Sequence, residues 1–196
     1  VRTVFTSGEQ IRSGEQLASC TYLRAVIDET LRISPPGPGT FWRQLPVGED
    51  GGKPLIVDGH VVPAGTWVGV NTYALHHNPE YFPDPFVFQP ERFLVKGVDE
   101  RKLLHEAFAP FSVGARSCIG KPMAYMEVSL VLAKTIWYFD FERPENEKLD
   151  TIGGGTKTGR NGRKHVKEFQ LYDHFSSSHN GPYLVFRDRN RVRVSG

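Results

Sequence analysis

Residues 111 to 120, Phe111-Ser112-Val113-Gly114-Ala115-Arg116-Ser117-Cys118-Ile119-Gly120, constrain this chain more than any other stretch. Two glycines bracket an arginine and a cysteine, the composition of a tight turn whose backbone must approach something closely. A long apolar segment follows at once, and Pro122 suits the first turn of a helix, where a missing N–H is harmless. Val128, Val131, Ala133, Ile136 and Trp137 give that helix an apolar side, and Phe139 and Phe141 then read as a short strand. A cysteine taken alone is most often inert and buried. This one sits in a turn defined by its neighbours, just ahead of a helix.

With 196 residues the chain is long enough for one domain with a real core. The content of 39% hydrophobic and 23% charged residues is that of an ordinary globular protein, while 20 Gly and 14 Pro imply a long irregular region. A formal net charge of +2 makes no case for nucleic acid. Cys20 and Cys118 allow at most one disulfide, and without a CxxC neither a zinc site nor a dithiol redox site is suggested. The longest apolar run, Val128 to Phe139, is broken by Lys134 and is too short to span a bilayer. No signal peptide opens the chain. Val1 is not an initiator and the methionines are Met123 and Met126, so a product starting at its own Met is expected to carry upstream sequence.

Along the chain, the polar opening to Gly14 reads as a helix end or a loop. Leu23, Val26, Ile27 and Leu31 recur at helical spacing, with Thr21 as N-cap and Ser34-Pro35-Pro36 as the stop. Lys53 to Val57 and His60 to Val62 flank Asp58-Gly59, a hairpin signal, and Trp67 to Val70 reads as a third strand before a short helical piece, Thr72 to His76. Residues 78–93 are crowded with prolines and aromatics. Prolines deny the backbone its ladder bonds while the aromatics demand burial, so an ordered, non-repetitive segment is expected. Gly153 to Lys167 reads as a Gly-rich basic loop, and Phe169 to Phe186 as a hairpin around Asn180-Gly181.

Two further patterns carry chemistry. Glu29-Thr30-Leu31-Arg32 places a carboxylate and a guanidinium three apart on one helix face, and Pro90-Glu91-Arg92-Phe93 ends the aromatic segment. With residues 111–120 fitting F-x-x-G-x-R-x-C-x-G, the three in this order resemble the cytochrome P-450 superfamily. The resemblance runs from about Cys20 to Phe186, and the wording around the motifs is similar to filamentous-fungal members.

That resemblance implies an α+β chain, mainly α in the parent: the C-terminal part of that fold, with two principal helices, short β-sheets and a long ordered coil before the cysteine turn. Residues 1–196 would be a fragment of a single catalytic domain. It implies haem b (iron protoporphyrin IX) as cofactor, with Cys118 as catalytic axial ligand to the iron. A thiolate ligand pushes electron density onto the iron and favours O–O cleavage, and a helix N-terminus favours its negative charge. Gly114, Ile119 and Gly120 would approach the porphyrin, Arg116 would pair with a propionate, and Phe111 would pack beside the sulfur and exclude water. Glu29, Arg32 and Arg92 would form a structural charged triad behind the haem. Arg43 matches a position that often binds the other propionate, with a surface arginine as the equal alternative. Phe41 and Phe175 fall where the family lines the substrate pocket, with ordinary turn packing as the alternative.

The implied parent is a monooxygenase that takes electrons from an NADPH-dependent reductase and inserts one atom of molecular oxygen into an apolar small molecule. It would lie on the cytosolic face of the endoplasmic reticulum membrane, held by an N-terminal anchor this sequence does not contain. The family's long central helix, with its acid–alcohol pair, has no counterpart here, so this chain alone is expected not to turn over. A truncated haem-binding remnant and a degenerate chain without haem remain alternatives. Gly153-Gly154-Gly155-Thr156-Lys157-Thr158 is not a phosphate loop, because no strand precedes it and no helix follows. His76 and His77 are adjacent and cannot form a metal pair on one face, so core or surface roles are expected. Lys157, Arg160, Arg163, Lys164 and Lys167 read as a solvated loop or a contact for an acidic electron donor. Arg187, Arg189, Arg191 and Arg193 read as a solvated edge or tail.

Overall fold

The computed structural model describes residues 1–44, 54–159, 164–166 and 168–189. Helices α1 (Glu15–Ala18) and α2 (Thr21–Ile33) come first, followed by strands β1 (Arg43–Gln44), β2 (Leu55–Val57), β3 (His60–Val62) and β4 (Trp67–Val68). Helices α3 (Thr72–His76), α4 (Val98–Ala107) and α5 (Lys121–Tyr138) come next. Then follow β5 (Phe139–Glu142), α6 (Glu147–Asp150), β6 (Tyr172–His174), β7 (Ser176–Ser178) and β8 (Val185–Asp188). Single 3-10 turns lie at Gly8–Gln10, Pro90–Leu94 and Gly114–Arg116. Among the described residues the strands form antiparallel pairs: β1 with β4, β2 with β3, β5 with β8, and β6 with β7. The result is a mixed helix and short-sheet chain, and no helix among the described residues is long and apolar enough to cross a membrane.

The main core forms where α2 meets α5. Leu23 and Ile27 of α2 and Ala133 of α5 are buried there, with Leu130, Leu132, Ile136 and Trp137 packed alongside. Phe5 and Ile11 join them, so the opening stretch is a core element. Its two apolar anchors were diluted by polar neighbours. The opposite side of α5, with Val128 and Val131, is exposed rather than part of the apolar face expected for it. A second cluster gathers Phe82, Leu104 and Ala107 with Leu75, Phe93 and Phe108 around the aromatic coil. That coil is ordered and non-repetitive, as its prolines require, and closes in the 3-10 turn at Pro90–Leu94.

Several boundaries differ from the sequence expectation. Cys20, not Thr21, occupies the N-cap of α2, and no side chain caps that end. The hairpin forms across Asp58 (φ 47°) and Gly59 (φ 76°), the left-handed pair its turn needs. Lys53 lies outside the described residues. The third strand stops at Val68 and pairs with Arg43–Gln44 rather than with the hairpin. A Cβ on Gly69 would sit 3.0 Å from Phe41 O, so the backbones converge there. Helix α4 makes a third helix of ten residues or more beside the two expected. Its signals are an acidic first turn (Asp99, Glu100), good helix formers, and a short apolar stripe at Leu104 and Ala107.

The last hairpin turns at Phe175 (φ 78°), not at Asn180-Gly181, and β8 leaves it to pair with β5. Gly181 is instead a close-contact point, where a Cβ would meet Ile152 O at 2.6 Å. Lys157 and Lys164 are exposed, while Arg160, Arg163 and Lys167 lie outside the described residues, as do Arg191 and Arg193. Arg187 lies on β8 and pairs with Glu142 at 2.5 Å across the sheet, and Arg189 donates to Trp137 O at 2.6 Å.

Candidate functional site

The charged face of α2 is the best-buried polar cluster described. Glu29 and Arg32 are fully buried, and Arg92 from the 3-10 turn is 8% exposed. Arg32 Nε and Nη2 donate to the two Glu29 oxygens at 2.8 and 2.9 Å, a bidentate pair. Arg92 Nε donates to the same carboxylate at 3.1 Å, and the Gln89 backbone N–H at 2.9 Å. The remaining guanidinium protons go to carbonyls of the coil: Arg32 Nη1 to His76 O at 2.8 Å, Arg92 Nη1 to Pro83 O at 3.1 Å, and Arg92 Nη2 to Val87 O at 3.3 Å. The structure thus brings Glu29, Arg32 and Arg92 together, and their bonds reach the irregular segment at several carbonyls.

His76 continues this cluster toward the cysteine turn. Its Nε2 accepts the Ala109 N–H at 3.0 Å, and its ring stacks on Phe108 with centroids 5.5 Å apart. Burial is the main reason its pKa falls to about 4, with the nearby Arg32 and His77 charges adding to the fall. The imidazole is neutral at ordinary pH and acts as an acceptor. Sequence reading placed His76 among core or surface histidines and missed this bridge; nothing in its local pattern signals it. Its neighbour His77 packs against Tyr73, 3.9 Å between ring centroids, and faces Glu168 at 3.8 Å. Burial pushes the His77 pKa down as well, and burial with a bond to Glu168 pushes that of Tyr73 up.

The cysteine turn itself is open. Ser112 (φ 60°) and Gly114 (φ 71°) take left-handed backbone conformations, and the Cys118 N–H closes the loop on Phe111 O at 2.8 Å. Cys118 is exposed just ahead of α5, and Ile119 beside it is fully exposed. Gly120 has a φ of −79°, which suits any residue, so the turn itself does not require a glycine there. What glycine leaves there is room: a Cβ would stand 3.7 Å from Cys118 Sγ. The Phe111 ring packs on Tyr125, centroids 5.2 Å apart, and its carbonyl accepts the Cys118 N–H.

Arg116 and Arg43, both exposed, line one open cavity of about 520 Å³ together with Phe41, Val68, Val70 and Val113. Phe41 also walls a neighbouring cavity of about 590 Å³ with Phe175 and Asp173. Phe41 and Phe175 meet edge to face at 6.1 Å. Residues far apart in sequence thus converge: both arginines beside the cysteine turn, and both phenylalanines over the adjoining hollow. No cluster of metal-ligating side chains is found among the described residues.

These features frame a protein with an exposed cysteine turn and a buried charge cluster, linked through His76. The cytochrome P-450 family model matches residues 1–164. The chain is 46% identical over 193 residues to the cytochrome P-450 monooxygenase AKT7 of Alternaria alternata, covering 95% of this chain and 36% of that protein. It is 42% identical over 192 residues to a cytochrome P-450 monooxygenase of Gibberella zeae, covering 98% of this chain and 42% of that protein. It is 43% identical over 194 residues to the cytochrome P-450 monooxygenase poxM of Penicillium oxalicum, covering 99% of this chain and 33% of that protein. The chain belongs to the cytochrome P-450 family. It spans about two fifths or less of the length of these curated relatives.

Proposed function

We propose that this chain is the C-terminal portion of a haem-thiolate monooxygenase and supplies the proximal side of its haem site. The carrying observation is the exposed Cys118 on a closed turn, with Arg43 and Arg116 lining one cavity that Ser112, Val113 and Ala115 of the same turn also line. The residues fit a haem. Gly120 leaves space over the sulfur, Ile119 offers an unburied apolar side chain, and two guanidinium groups suit two propionates. When bound, the haem supplies reductive activation of molecular oxygen and insertion of one oxygen atom into an apolar substrate.

The chain's own residues hold and orient. Cys118 presents its sulfur at the positive end of α5, where a negative ligand is favoured. The Phe111 carbonyl fixes the cysteine backbone. Arg43 and Arg116 hold propionates, and Gly114 keeps the turn tight. Glu29, Arg32 and Arg92 keep the coil in register so that the turn lies where the sulfur is needed. Phe41 and Phe175 present apolar surface to substrate, and the polypeptide beyond this chain's share of its relatives supplies the rest of the pocket.

An NADPH-dependent reductase as electron donor, and attachment of the parent to the endoplasmic reticulum membrane, complete the proposal. The test is Cys118→Ala or Cys118→His in the full polypeptide, read by the absorption spectrum of the reduced, CO-bound protein. Loss of the thiolate signature is expected. Its retention would sink the assignment, and failure of the full polypeptide to take up haem at all would favour the degenerate-chain reading.

A further inference from the structure

The cysteine turn is fastened by a second polar device that the charged triad does not include. Tyr125 is the first buried residue of α5, one turn beyond Lys121. Its hydroxyl donates to Asp28 Oδ1 at 2.7 Å, a buried bond between α5 and α2. The other Asp28 oxygen accepts Arg24 Nε at 2.9 Å, and the Arg24 guanidinium lies over the Tyr125 ring, 3.6 Å from its centroid. The phenol is thus gripped at its oxygen by a carboxylate and on its face by a cation. Phe111 packs against the same ring, and Phe111 is the residue whose carbonyl closes the Cys118 turn.

We infer that Tyr125, held by Asp28 and Arg24, is a positioning residue for Cys118, fixing the Phe111 ring and through it the backbone that carries the sulfur. This rests on reading Cys118 as the haem ligand. Asp28 lies next to Glu29, so α2 spends consecutive carboxylates on two tasks. Glu29 fixes the coil that leads into the turn, and Asp28 fixes the helix that leads out of it. Burial and the Asp28 bond raise the Tyr125 pKa well above its ordinary value, so the phenol remains a donor over the working pH range. The device acts on geometry, not on chemistry at the substrate. Its loss should loosen the sulfur without emptying the site.

The test uses the full-length, haem-loaded enzyme and follows how fast the thiolate signature of the reduced, CO-bound form decays to that of a neutral thiol, alongside haem content. Tyr125→Phe keeps the ring and removes the hydroxyl. Decay about fivefold faster at unchanged haem content is expected, the rate equivalent of one buried hydrogen bond. Asp28→Asn retains an acceptor for the phenol but turns the oxygen that accepts from Arg24 into an N–H donor, so the ion pair and hydrogen bond with Arg24 are lost, and about twofold is expected. This variant also carries the test if Tyr125→Phe does not fold, and decay at the parent rate would overturn the proposal.

Tyr22→Phe is the control. Tyr22 also lies on α2 and donates to a carboxylate, Glu91 at 2.9 Å, but it is not part of the Phe111 contact. Its decay should match the parent. Acceleration equal to that of Tyr125→Phe would reduce the effect to general loosening and overturn the inference. A parent with no thiolate signature overturns the Cys118 reading instead, a result separable from failure of the clamp.

Discussion

The triad and the cysteine turn lie in one chain and solve opposite problems. Around Glu29, Arg32 and Arg92 every charge is withdrawn from water and matched by a counter-charge or a carbonyl. Around Cys118 residues 113–119 are exposed, and order comes from the backbone: two left-handed residues, Ser112 and Gly114, and the bonds from Ser117 N–H to Gly114 O and from Cys118 N–H to Phe111 O. Buried ion pairs contribute little net stability over apolar packing, yet breaking one is severe. They suit a region that must hold one arrangement and no other. An exposed turn suits a group that must meet a partner. The contrast puts burial in one place and exposure in the other, joined by His76 through its carbonyl to Arg32 and its ring to Ala109.

The sharpest way to break this division is Glu29→Ala, which strands two buried guanidinium groups. A loss of about 3–5 kcal/mol is expected, enough to unfold most marginal domains, read as the denaturant midpoint or as loss of soluble protein. A loss under about 1 kcal/mol would show that the cluster is not the rigid element. The joint at His76 predicts an acid weakness. Its folded pKa near 4 lies below the ordinary unfolded value of about 6.5, so its neutral form stabilises the fold fully above pH 6.5. That stability is lost as pH falls from 6.5 toward 4, on the order of 3 kcal/mol over the window. His76→Gln keeps an acceptor and removes the titration, so unfolding measured between pH 7 and pH 4 should lose that slope.

Much of this division was legible in the sequence, for a physical reason. The spacing of Glu29 and Arg32 is a helical period, and Asp58-Gly59 and Ser34-Pro35-Pro36 are local backbone rules, so each was readable without tertiary knowledge. What escaped depends on contacts across the chain. Tyr125, His76 and Phe5 look like unremarkable residues until α2, α3, α5 and the opening stretch meet. Helix α4 escaped because its apolar stripe is too narrow to show above its charges. The turn at Asn180-Gly181 misled because that dipeptide fits a tight hairpin, whereas the chain reserves Gly181 for contact with Ile152 and turns earlier, at Phe175.

The turn has its own, smaller test. Gly114 has φ 71° and no neighbour within 4 Å of an added Cβ. Gly114→Ala therefore charges the backbone alone, and about 1–2 kcal/mol of stability should be lost in thermal or denaturant unfolding. A larger loss would mean the turn is packed like the triad after all.

The smallest effect belongs to the pair that joins the two cavities. Phe41 and Phe175 meet edge to face, and Phe175 is 80% exposed, so their coupling lies near the lower end of aromatic pairs, about 0.5 kcal/mol in a double-mutant cycle. The hairpin bearing Phe175 is tied independently by Ser177, whose hydroxyl donates to Pro35 O at 3.3 Å, so removing one ring leaves the hollow standing. Phe175→Ala should then leave unfolding nearly unchanged while weakening the binding of an apolar substrate to the full enzyme, measured by titration. A change in stability matching or exceeding the change in binding would make the pair a packing contact like those of the core, and would leave the substrate wall to other residues.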